Sequence, residues 1–278
     1  MNLRSVIKDW CPPILYRRWH PPAPPKVSAK QPGSKNFSGT YSTWEEAVRH
    51  STGYDAQNIL DRTLEATLKV KNGEAVFERD SVLLDHPEYP FFLISCLLHI
   101  ALQKGGKLSV LDFGGALGSS YFQIRKFLAG IHDLHWNVVE QHKHVECGRR
   151  YIEDNILRFH YTMEESISHQ RPDVVILSGV FSVLERPYDI IKKVIESGIE
   201  YVIVDRQPLS KKENDELTVV TVPPSIYTAS FPYWFLSEKK IRDAWAEAYV
   251  LEVEDEDAAL VSGENVMPRR RFFYLRRK

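Results

Sequence analysis

The stretch Ser109-Val-Leu-Asp-Phe-Gly-Gly-Ala-Leu-Gly-Ser-Ser-Tyr121 decides the fold, because it reads as a buried strand that runs into a glycine-rich turn and then a helix. Glycine at positions 114, 115 and 118 allows backbone conformations and close approaches that a side chain would block. A helix that begins directly after such a turn favours an anionic group at its N-terminus. The stretch therefore predicts a small-molecule site at the end of this strand.

Five short apolar runs are separated by segments long enough for crossover helices. They are Leu108 to Phe113, Trp136 to Val139, Leu157 to His160, Val174 to Leu177 and Tyr201 to Val204. Parallel strands cannot be joined by tight turns, so this spacing is typical of βαβ units. We expect an α/β protein whose core is a Rossmann-like, doubly wound, mostly parallel sheet.

Helical spacing of apolar residues predicts two helices before this sheet, over Asp55 to Lys71 and Tyr89 to Lys104. Proline pairs and basic residues dominate the chain before them, which favours a linker over a packed core. We therefore divide the chain into a basic, proline-rich arm (1–36), an N-terminal helical cap (37–106) and the Rossmann-like domain (107–278).

The prolines that follow Asp205 predict a long loop, and helical spacing predicts a helix from Ser237 to Ala248. Two later apolar segments, Tyr249 to Val253 and Phe272 to Leu275, predict an antiparallel hairpin on the sheet edge. The acidic run Glu252 to Asp257 is expected at the turn of that hairpin.

Composition bounds the class of protein. The 278 residues carry a formal net charge of -1, so no overall positive charge marks the chain as a nucleic-acid binder. The three cysteines, Cys11, Cys96 and Cys147, lie far apart, which favours neither a disulfide framework nor a zinc site. We expect no metal and a cytoplasmic protein.

The N-terminal arm has its own charge pattern. Residues 1–35 contain seven Lys or Arg against the single acid Asp9, interleaved with aromatic and aliphatic residues. Such a segment can lie on an anionic membrane surface, here the inner face of the cytoplasmic membrane. A solvated arm or an oligomer contact explains the pattern equally well. No transmembrane segment or cleavable signal peptide is expected.

The spacing of the glycines restricts the classes of ligand that the turn is expected to bind. A dinucleotide fingerprint starting at Gly114 would need glycine at Ala116 and Ser119, and a P-loop would need Gly-Lys-Ser/Thr. The segment from Asp112 to Gly118 instead resembles the first motif of Rossmann-like methyltransferases, acidic-x-Gly-x-Gly-x-Gly, and departs from it at Ala116. In that motif the acid can orient the amino group of a methionine moiety.

A second carboxylate lies about 25 residues on, where Trp136-Asn-Val-Val-Glu140 ends a strand. A carboxylate there can accept both ribose hydroxyls of an adenosyl group, as in dinucleotide folds. Gln141 follows it and is included in the same candidate site. The alternative is that Glu140 only caps the helix that begins near His142.

Further candidates follow the other strands. Glu164, in Thr162-Met163-Glu164, stands where such enzymes often hold adenine, although an ordinary helix start explains it equally well. Ser178 and Gly179 follow the fourth strand, at the sheet edge where open α/β folds bind ligands. The candidate cofactor-binding residues are Asp112, Gly114, Gly115, Gly118, Glu140, Gln141, Glu164, Ser178 and Gly179.

From Phe37 onward the chain resembles a group of methyltransferases associated with bacterial surface-polysaccharide (LPS, O-antigen and capsule) gene clusters. The strings that carry this resemblance are Phe37-x-Gly39-x-Tyr41-x-x-Trp44, Phe77-Glu-Arg-Asp80, Leu111 to Tyr121, Val138-Val-Glu-Gln141, Val204-Asp-Arg206 and Ser230-Phe-Pro-Tyr-Trp-Phe235. The resemblance implies a class I methyltransferase type of fold, S-adenosylmethionine as cofactor and methyl transfer to a glycan hydroxyl. It leaves the acceptor and the methylated atom undefined.

Methyl transfer from a sulfonium mainly requires an acceptor held close to the methyl group, and a hydroxyl acceptor must also lose a proton. Asp205 is the first choice for the group that orients or deprotonates the acceptor, with Arg206 beside it. A carboxylate that follows the fifth strand is expected to project into the crevice. The alternative is that Asp205 and Arg206 only form an ion pair. The other candidates for base or orienting group are His86, His142, Tyr41 and Tyr227.

Several aromatic residues are candidates for contact with the acceptor, because flat apolar faces stack on sugar rings; core packing is the alternative for each. Arg79 and Tyr41 lie before the Rossmann core and are expected to fold over the site as a lid. The candidate substrate-binding residues are Tyr41, Trp44, Arg79, Tyr227, Tyr233 and Trp234.

Two other functions remain open. An NAD(P)-dependent oxidoreductase or nucleotide-sugar enzyme is favoured by the Tyr-x-x-x-Lys spacing of Tyr188 and Lys192 and disfavoured by the glycine spacing. A non-catalytic adenosyl-binding scaffold, docked on a membrane or protein through its N-terminal arm, fits the same motifs as the enzyme. We expect a small-molecule or glycan acceptor and no nucleic-acid partner.

Overall fold

The computed structural model describes residues 36–53, 57–79, 81–84, 88–223, 229–257, 261–262, 265–266 and 268–278. Contacts divide the chain after Gln31, and every described residue belongs to the second unit, Pro32–Lys278. The predicted arm, apart from its last residue, lies outside the described residues, as do two candidate site residues, His86 and Tyr227.

The described residues form helices and strands that alternate through the central part of the chain. The helices are α1 Trp44–Arg49, α2 Gln57–Lys71, α3 Phe91–Gln103, α4 Ser119–Ile124, α5 His142–Tyr151, α6 Met163–His169, α7 Pro187–Ser197 and α8 Glu238–Ala246. The strands are β1 Asn36–Tyr41, β2 Phe77–Arg79, β3 Val82–Leu84, β4 Lys107–Phe113, β5 Asp133–Val139, β6 Leu157–His160, β7 Val174–Ser178, β8 Tyr201–Ser210, β9 Glu216–Val222, β10 Ala229–Ser237, β11 Tyr249–Glu256, β12 Val261–Ser262, β13 Asn265–Val266 and β14 Arg270–Arg277.

The central sheet has the order β6-β5-β4-β7-β8-β14-β11. Strands β6, β5, β4, β7 and β8 run parallel, whereas β14 is antiparallel to both of its neighbours. This arrangement confirms the predicted α/β class and the mostly parallel, Rossmann-like sheet. The carboxyl ends of β4, β5, β7 and β8 therefore meet at one edge, where ligands bind in open α/β folds.

Helices cover both faces of the sheet, because each central strand is apolar on both sides. In β4, Val110 belongs to a core shared with helices α2 to α5, whereas its neighbour Leu111 packs with α6, α7 and α8. The apolar run near Phe91 forms α3, and the inward-facing residues of this helix are almost fully buried in the same core as Val110. No helix in the described part of the chain is long and apolar enough to cross a membrane.

The long loop predicted after Asp205 is wrong. Strand β8 continues to Ser210, and β9 and β10 follow it as an antiparallel pair. Strand β10 pairs in parallel with the end of β8 through Leu236 and Leu209, and β1 adds to the outer edge of β9. Proline at 208 misled the prediction, since a strand tolerates proline where the ladder needs no N–H.

The helical cap predicted for residues 37–106 also needs revision. The two helices are present as α2 and α3, but they pack on one face of the central sheet. Strand β1 belongs to the sheet through β9, and β2 and β3 form a separate hairpin. These residues are therefore integrated with the α/β core and are not helical throughout.

The C-terminal hairpin is confirmed, with β11 antiparallel to β14. The acidic run, however, lies within β11 as far as Glu256, and only Asp257 follows the strand. Carboxylates of this strand form ion pairs with arginines of β14, among them Glu254 with Arg271 at 2.6 Å and Glu252 with Arg276 at 2.7 Å. Pairing with opposite charges on the partner strand makes an acidic strand stable.

Candidate active site

The glycine-rich turn after β4 is held tightly against its neighbours. Gly114 and Gly118 adopt left-handed backbone angles, with φ of 73° and 87°. A Cβ atom at Gly115 would lie 2.6 Å from the Asp112 carboxylate, and one at Gly114 would lie 2.6 Å from Val180. Gly114, Gly115 and Gly118 are therefore required, either by their backbone conformation or because a side chain would clash with a neighbour.

Ala116 occupies the position at which the sequence departs from the methyltransferase motif. Its φ is 50°, which is the left-handed conformation that glycine would adopt there. The departure therefore leaves the shape of the turn intact, at a backbone cost of roughly 1–2 kcal/mol. The N–H groups of Gly115 and Ala116 donate no hydrogen bond to the part of the chain that the structure describes, so the turn presents free donors.

Asp112 is almost completely buried at the end of β4, where the indole Nε1 of Trp136 donates a hydrogen bond to its Oδ2 at 3.1 Å. Burial raises the pKa of Asp112 to about 7. The Trp136 hydrogen bond and the nearby Arg206 oppose this rise in pKa, whereas the negative charges of Asp205 and Glu140 add to it. A cationic ligand group beside Asp112 would favour its ionised form.

Glu140 lies next to the glycine turn. Phe113 and Val139 are paired in the parallel register, and the N–H of Gly114 donates to the Val139 carbonyl at 2.9 Å. The Oε2 atom of Glu140 accepts the N–H of Gln141 at 2.6 Å, at the residue that caps α5. Its Oε1 has no donor among the described residues, and no side chain caps the first turn of α5, so this oxygen stays available to a ligand hydroxyl.

Glu164 shows the features of an ordinary helix start. The Thr162 hydroxyl accepts the N–H of Glu165 at 3.0 Å, and Glu164 points outward to an ion pair with Lys193 at 3.3 Å. The side chain of Glu164 is 65% exposed. The arrangement matches the alternative interpretation of this residue and brings no ligand group toward the glycine turn.

The fifth strand carries a β-bulge that the sequence did not reveal. Asp205 and Arg206 of β8 together lie opposite Phe272 of β14, and the φ of Arg206 is 51°. Because of this extra residue, Val204 and Leu209 enter the same core although they are five positions apart. Bulges of this kind re-aim side chains beside active sites, and here the re-aimed side chain is the Arg206 guanidinium.

Ser178, Asp205 and Arg206 form a connected cluster at the sheet edge. The Ser178 hydroxyl donates to Asp205 Oδ2 at 2.6 Å, and Arg206 Nε donates to the same oxygen at 2.9 Å. Arg206 Nη2 donates to Ser178 Oγ at 2.9 Å. Next to this cluster, the N–H of Gly179 donates to the Asp205 carbonyl at 2.8 Å.

The structure corrects the expectation that the Asp205 carboxylate projects into the crevice. Asp205 is fully buried, whereas the Arg206 side chain is 23% exposed. The Oδ1 of Asp205 is buried and has no hydrogen-bond partner among the described residues. The Arg206 Nη1 likewise has no acceptor in the described ranges. Arg206 is therefore the member of the pair that reaches the edge, and Asp205 holds it.

The predicted aromatic residues separate into two groups. Tyr233 is buried against Phe37 and Phe235, at ring distances of 5.2 and 5.5 Å, so it contributes to packing. Trp234 points to the other side of β10, where it stacks on Trp44 at 6.3 Å and lines a cleft. Of these residues, Trp234 is the one placed to contact a ligand, and Trp44 supports it.

The two residues expected to form a lid each have a partner within the chain. Tyr41 stacks on His50 at 5.2 Å, and Arg79 forms an ion pair with Glu88 at 2.8 Å. The neighbouring Glu78 is buried and accepts a hydrogen bond from the Ser119 hydroxyl, at the start of α4. This contact fixes the β2–β3 hairpin beside the turn and was not anticipated as a site contact.

Gln207 is a positioning residue that the sequence analysis missed. It is fully buried, and its Oε1 accepts the N–H of Phe181 at 3.2 Å while its Nε2 donates to Ser182 Oγ at 2.8 Å. These bonds fix the 3-10 turn Phe181–Val183 to the bulged part of β8. No local pattern could reveal a contact between residues so far apart in the chain.

No model of a known protein family matches the chain, and no curated protein matches its sequence. Among solved structures, a SAM-dependent methyltransferase from Methanosarcina mazei is 13% identical, with a TM-score of 0.45, and the match covers 69% of this chain and 99% of that one. Magnesium protoporphyrin IX methyltransferase from Synechocystis, with bound SAM, is 13% identical, with a TM-score of 0.42 and coverage of 81% and 100%.

A third similar structure is 1,6-didemethyltoxoflavin-N1-methyltransferase from Burkholderia thailandensis, at 12% identity and a TM-score of 0.42, with coverage of 91% and 97%. The fold assignment rests on the strand order and on the reversed β14. This arrangement defines the class I methyltransferase type of Rossmann-like fold, as the sequence predicted.

Proposed function

We propose that the protein binds S-adenosylmethionine and transfers its methyl group to a hydroxyl of a glycan or lipid-linked sugar, which releases S-adenosylhomocysteine and passes the hydroxyl proton to water. The observation that carries this proposal is the placement of two carboxylates, Asp112 and Glu140, on either side of a glycine turn with free backbone donors. The polysaccharide context comes from the resemblance of the sequence motifs.

Each residue around the turn has a distinct role in this proposal. Asp112 holds the cationic amino group of the methionine moiety, because a buried carboxylate needs a positive partner to ionise. The free oxygen of Glu140 accepts ribose hydroxyls, and the bare backbone at Gly115 allows close approach. When bound, S-adenosylmethionine supplies an electrophilic methyl group on a sulfonium.

The bulge of β8 supplies the acceptor side of the proposed site. Arg206 is clamped through Nε and Nη2, so its free Nη1 is oriented toward the sheet edge with little loss of side-chain entropy. In this role Arg206 orients an oxygen of the acceptor, and Asp205 and Ser178 act as positioning residues. Holding the acceptor in place supplies most of the catalysis in a displacement of this kind.

The oxidoreductase alternative loses its main support from the surroundings of Tyr188 and Lys192. The Tyr188 hydroxyl donates to the Asp215 carboxylate at 3.1 Å, and Lys192 pairs with Glu196 at 3.8 Å on the exposed side of α7. The two groups therefore have separate partners and do not form the proton-transfer pair that this chemistry needs.

Calorimetry with purified protein tests the cofactor. We expect S-adenosylmethionine and S-adenosylhomocysteine to bind and NAD(P)H not to bind. Glu140→Ala should weaken binding by about 10- to 100-fold, since a hydrogen bond to a charged group contributes about 1.5–3 kcal/mol. Glu196→Ala, on exposed α7, is the matched control and should bind like the wild type. Unchanged affinity in Glu140→Ala would remove the ribose assignment.

Activity separates an enzyme from an adenosyl-binding scaffold. The wild-type protein should transfer isotopically labelled methyl groups from S-adenosylmethionine into glycan extracts, and Arg206→Lys should transfer more slowly with little change in S-adenosylhomocysteine affinity. Cofactor binding without any transfer into such extracts would favour the scaffold.

A further inference from the structure

A cleft beside the bulge of β8 is not explained by the contacts described so far. It lies between the start of α7, the turn before β9 and strand β10, and it has a volume of about 320 Å³, at the lower end of small-molecule sites. Such a volume suits one ring-sized ligand. The lining residues that matter here are Arg186, Tyr188, Asp189, Asp215, Trp234 and Leu236.

The cleft is close to the proposed acceptor side of the active site. Leu236 pairs with Leu209, which lies three residues beyond Arg206, so the cleft begins about 10 Å from Arg206 at the usual rise of a strand. The opposite wall follows directly on the 3-10 turn Phe181–Val183, which Gln207 fixes to β8. Both walls are thus attached to the bulged strand.

The polar groups of the cleft are already oriented. Asp215 Oδ1 accepts the N–H of Ser237 at 2.7 Å, and both of its oxygens accept the Tyr188 hydroxyl, at 3.1 and 3.2 Å. Burial, followed by the nearby Asp215 charge, raises the pKa of Tyr188 above its usual range, so this hydroxyl stays neutral. Its oxygen retains lone pairs that can accept a ligand hydroxyl.

The charge of the cleft restricts the ligand. Three carboxylates, Glu185, Asp189 and Asp215, line it with one guanidinium, Arg186. The Arg186 Nε is engaged by Asp189 at 2.7 Å. Lys240 Nζ lies 3.5 Å from Asp215 Oδ2, so the three carboxylates face two cations and one net negative charge remains. The lining therefore offers mainly acceptors, which suit hydroxyl donors, and its remaining negative charge disfavours an anionic ligand.

Trp234 supplies the apolar wall. Its indole Nε1 is buried without a hydrogen-bond partner among the described residues, and Trp44 supports the ring by stacking on it at 6.3 Å. A braced aromatic ring next to carboxylate and hydroxyl acceptors combines the two features that a polyhydroxylated ring needs, a flat apolar face and hydrogen-bond acceptors.

We propose that this cleft binds a sugar ring that carries no acidic group, packed on Trp234 and hydrogen-bonded to Asp215 and Tyr188. The ring belongs to the acceptor, and this part of the inference rests on the proposed methyl transfer. The cleft then determines specificity by selecting non-anionic sugars about 10 Å from Arg206.

Ligand-observed NMR with simple glycosides tests the cleft without knowledge of the natural acceptor. The full-length protein is titrated with methyl β-D-glucopyranoside, methyl β-D-glucosaminide and methyl β-D-glucuronide. We expect the neutral and amino sugars to bind and the glucuronide not to bind. Equal binding of the glucuronide, or no binding of any of the three, would overturn the proposal.

Substitutions in the cleft test whether the glycoside binds there. Trp234→Ala should lower the affinity for the neutral glycoside about 2- to 10-fold, whereas Trp234→Phe should retain most of it, because the phenyl ring keeps a flat apolar face. Tyr188→Phe, a smaller change, should lower it less. The control Asp243→Asn changes an exposed acid on α8 that pairs with Lys239, and it should bind like the wild type. Wild-type affinity in both Trp234→Ala and Tyr188→Phe would place the sugar elsewhere.

Calorimetry on the same samples separates this proposal from the proposed function. Trp234→Ala should bind S-adenosylhomocysteine with wild-type affinity, because its cleft is separate from the glycine turn. If the wild-type protein binds glycosides but not S-adenosylhomocysteine, the proposed function fails and the sugar site stands. If it binds S-adenosylhomocysteine but no glycoside, the cleft proposal alone fails.

Discussion

The two ends of the candidate active site are built in different ways. The turn between β4 and α4 leaves groups unsatisfied, among them the N–H groups of Gly115 and Ala116 and one oxygen of Glu140. The bulge of β8 is held from within, because Ser178 and Arg206 both donate to Asp205 Oδ2, and it leaves only Asp205 Oδ1 and Arg206 Nη1 without a partner among the described residues. The first end is open to a ligand, and the second is rigid before any ligand arrives.

This difference suggests that the glycine turn binds a ligand, whereas the bulge of β8 positions a side chain. Unsatisfied donors and acceptors gain hydrogen bonds when a ligand arrives, so substitutions at the turn should change affinity. Buried side chains that bond one another contribute to the folded state, so substitutions at the bulge should change stability first. Substitutions at the two ends can therefore be compared directly.

The largest effect is expected at the bulge. Arg206→Ala leaves the fully buried Asp205 without its cation, and it should lower the free energy of unfolding by about 3–5 kcal/mol. Urea denaturation followed by circular dichroism measures this loss. Arg158→Ala is the control, because its pair with Glu153 is partly exposed and should contribute less than about 1 kcal/mol.

A loss in Arg206→Ala no greater than that in the control would show that Asp205 does not depend on Arg206, and the bulge would then be an ordinary surface feature. Arg206→Gly sharpens the result. It removes the same cation but relieves the left-handed backbone, so it should be about 1 kcal/mol more stable than Arg206→Ala.

The next effect is expected at Asp112 and depends on pH. Because burial raises its pKa in the folded protein from 3.8 to about 7, the neutral carboxyl group favours folding. Its stabilising contribution is complete below about pH 4 and is lost as the pH rises through 7. Asp112→Asn cannot ionise, so it should be more stable than the wild type at pH 8, by up to about 4 kcal/mol, and similar at pH 4.

Unfolding by urea at pH 4, 6 and 8 measures this difference for Asp112→Asn and for the exposed control Asp243→Asn, which should show no such trend. The same Asp112→Asn protein should bind S-adenosylmethionine more weakly, since the amide cannot neutralise the amino group. A stability gain that is independent of pH would show that Asp112 is not buried as an acid. Gain of stability with loss of affinity is the behaviour expected of a binding group.

The same contrast explains how much the sequence could reveal. The five parallel strands, helices α2 and α3, and the places of Asp112 and Glu140 at the ends of two neighbouring strands were predicted, because each depends on apolar periodicity or on a motif within a few residues. The glycine turn comes from one short segment, Asp112 to Gly118, and Glu140 directly follows the next strand along the chain. Short sequence segments therefore form this end of the candidate site, and so patterns within those segments predict it.

The bulge and the cleft were not predicted, because they depend on pairing between distant segments. Arg206 adopts a left-handed conformation that only the register between β8 and β14 imposes. Asp215, Tyr188 and Trp234 meet only after β10 pairs with β8, and Pro208 argued for a loop where a strand continues. Burial of Asp205 follows from the same tertiary contacts, so its sequence position alone suggested the opposite exposure.

The smallest effect is expected at Ala116, in the turn. Its left-handed φ costs an L-residue roughly 1–2 kcal/mol, and glycine avoids this cost but gains entropy in the unfolded chain. Ala116→Gly should therefore raise the free energy of unfolding by about 0.5–1 kcal/mol. Affinity for S-adenosylhomocysteine should not change, because the N–H groups of the turn stay in place.

Ala66→Gly, inside helix α2, is the control, since the same substitution in a helix interior should lower the free energy of unfolding by at least about 1 kcal/mol, with a further loss because the Ala66 methyl group is buried. A loss of stability in Ala116→Gly would mean that the Ala116 methyl packs against the fold and that the conformation is not strained. The comparison with Arg206→Gly completes the contrast between the two ends. Both substitutions relieve a left-handed residue, but only at the turn does the side chain carry no partner, so only there should glycine be a net gain.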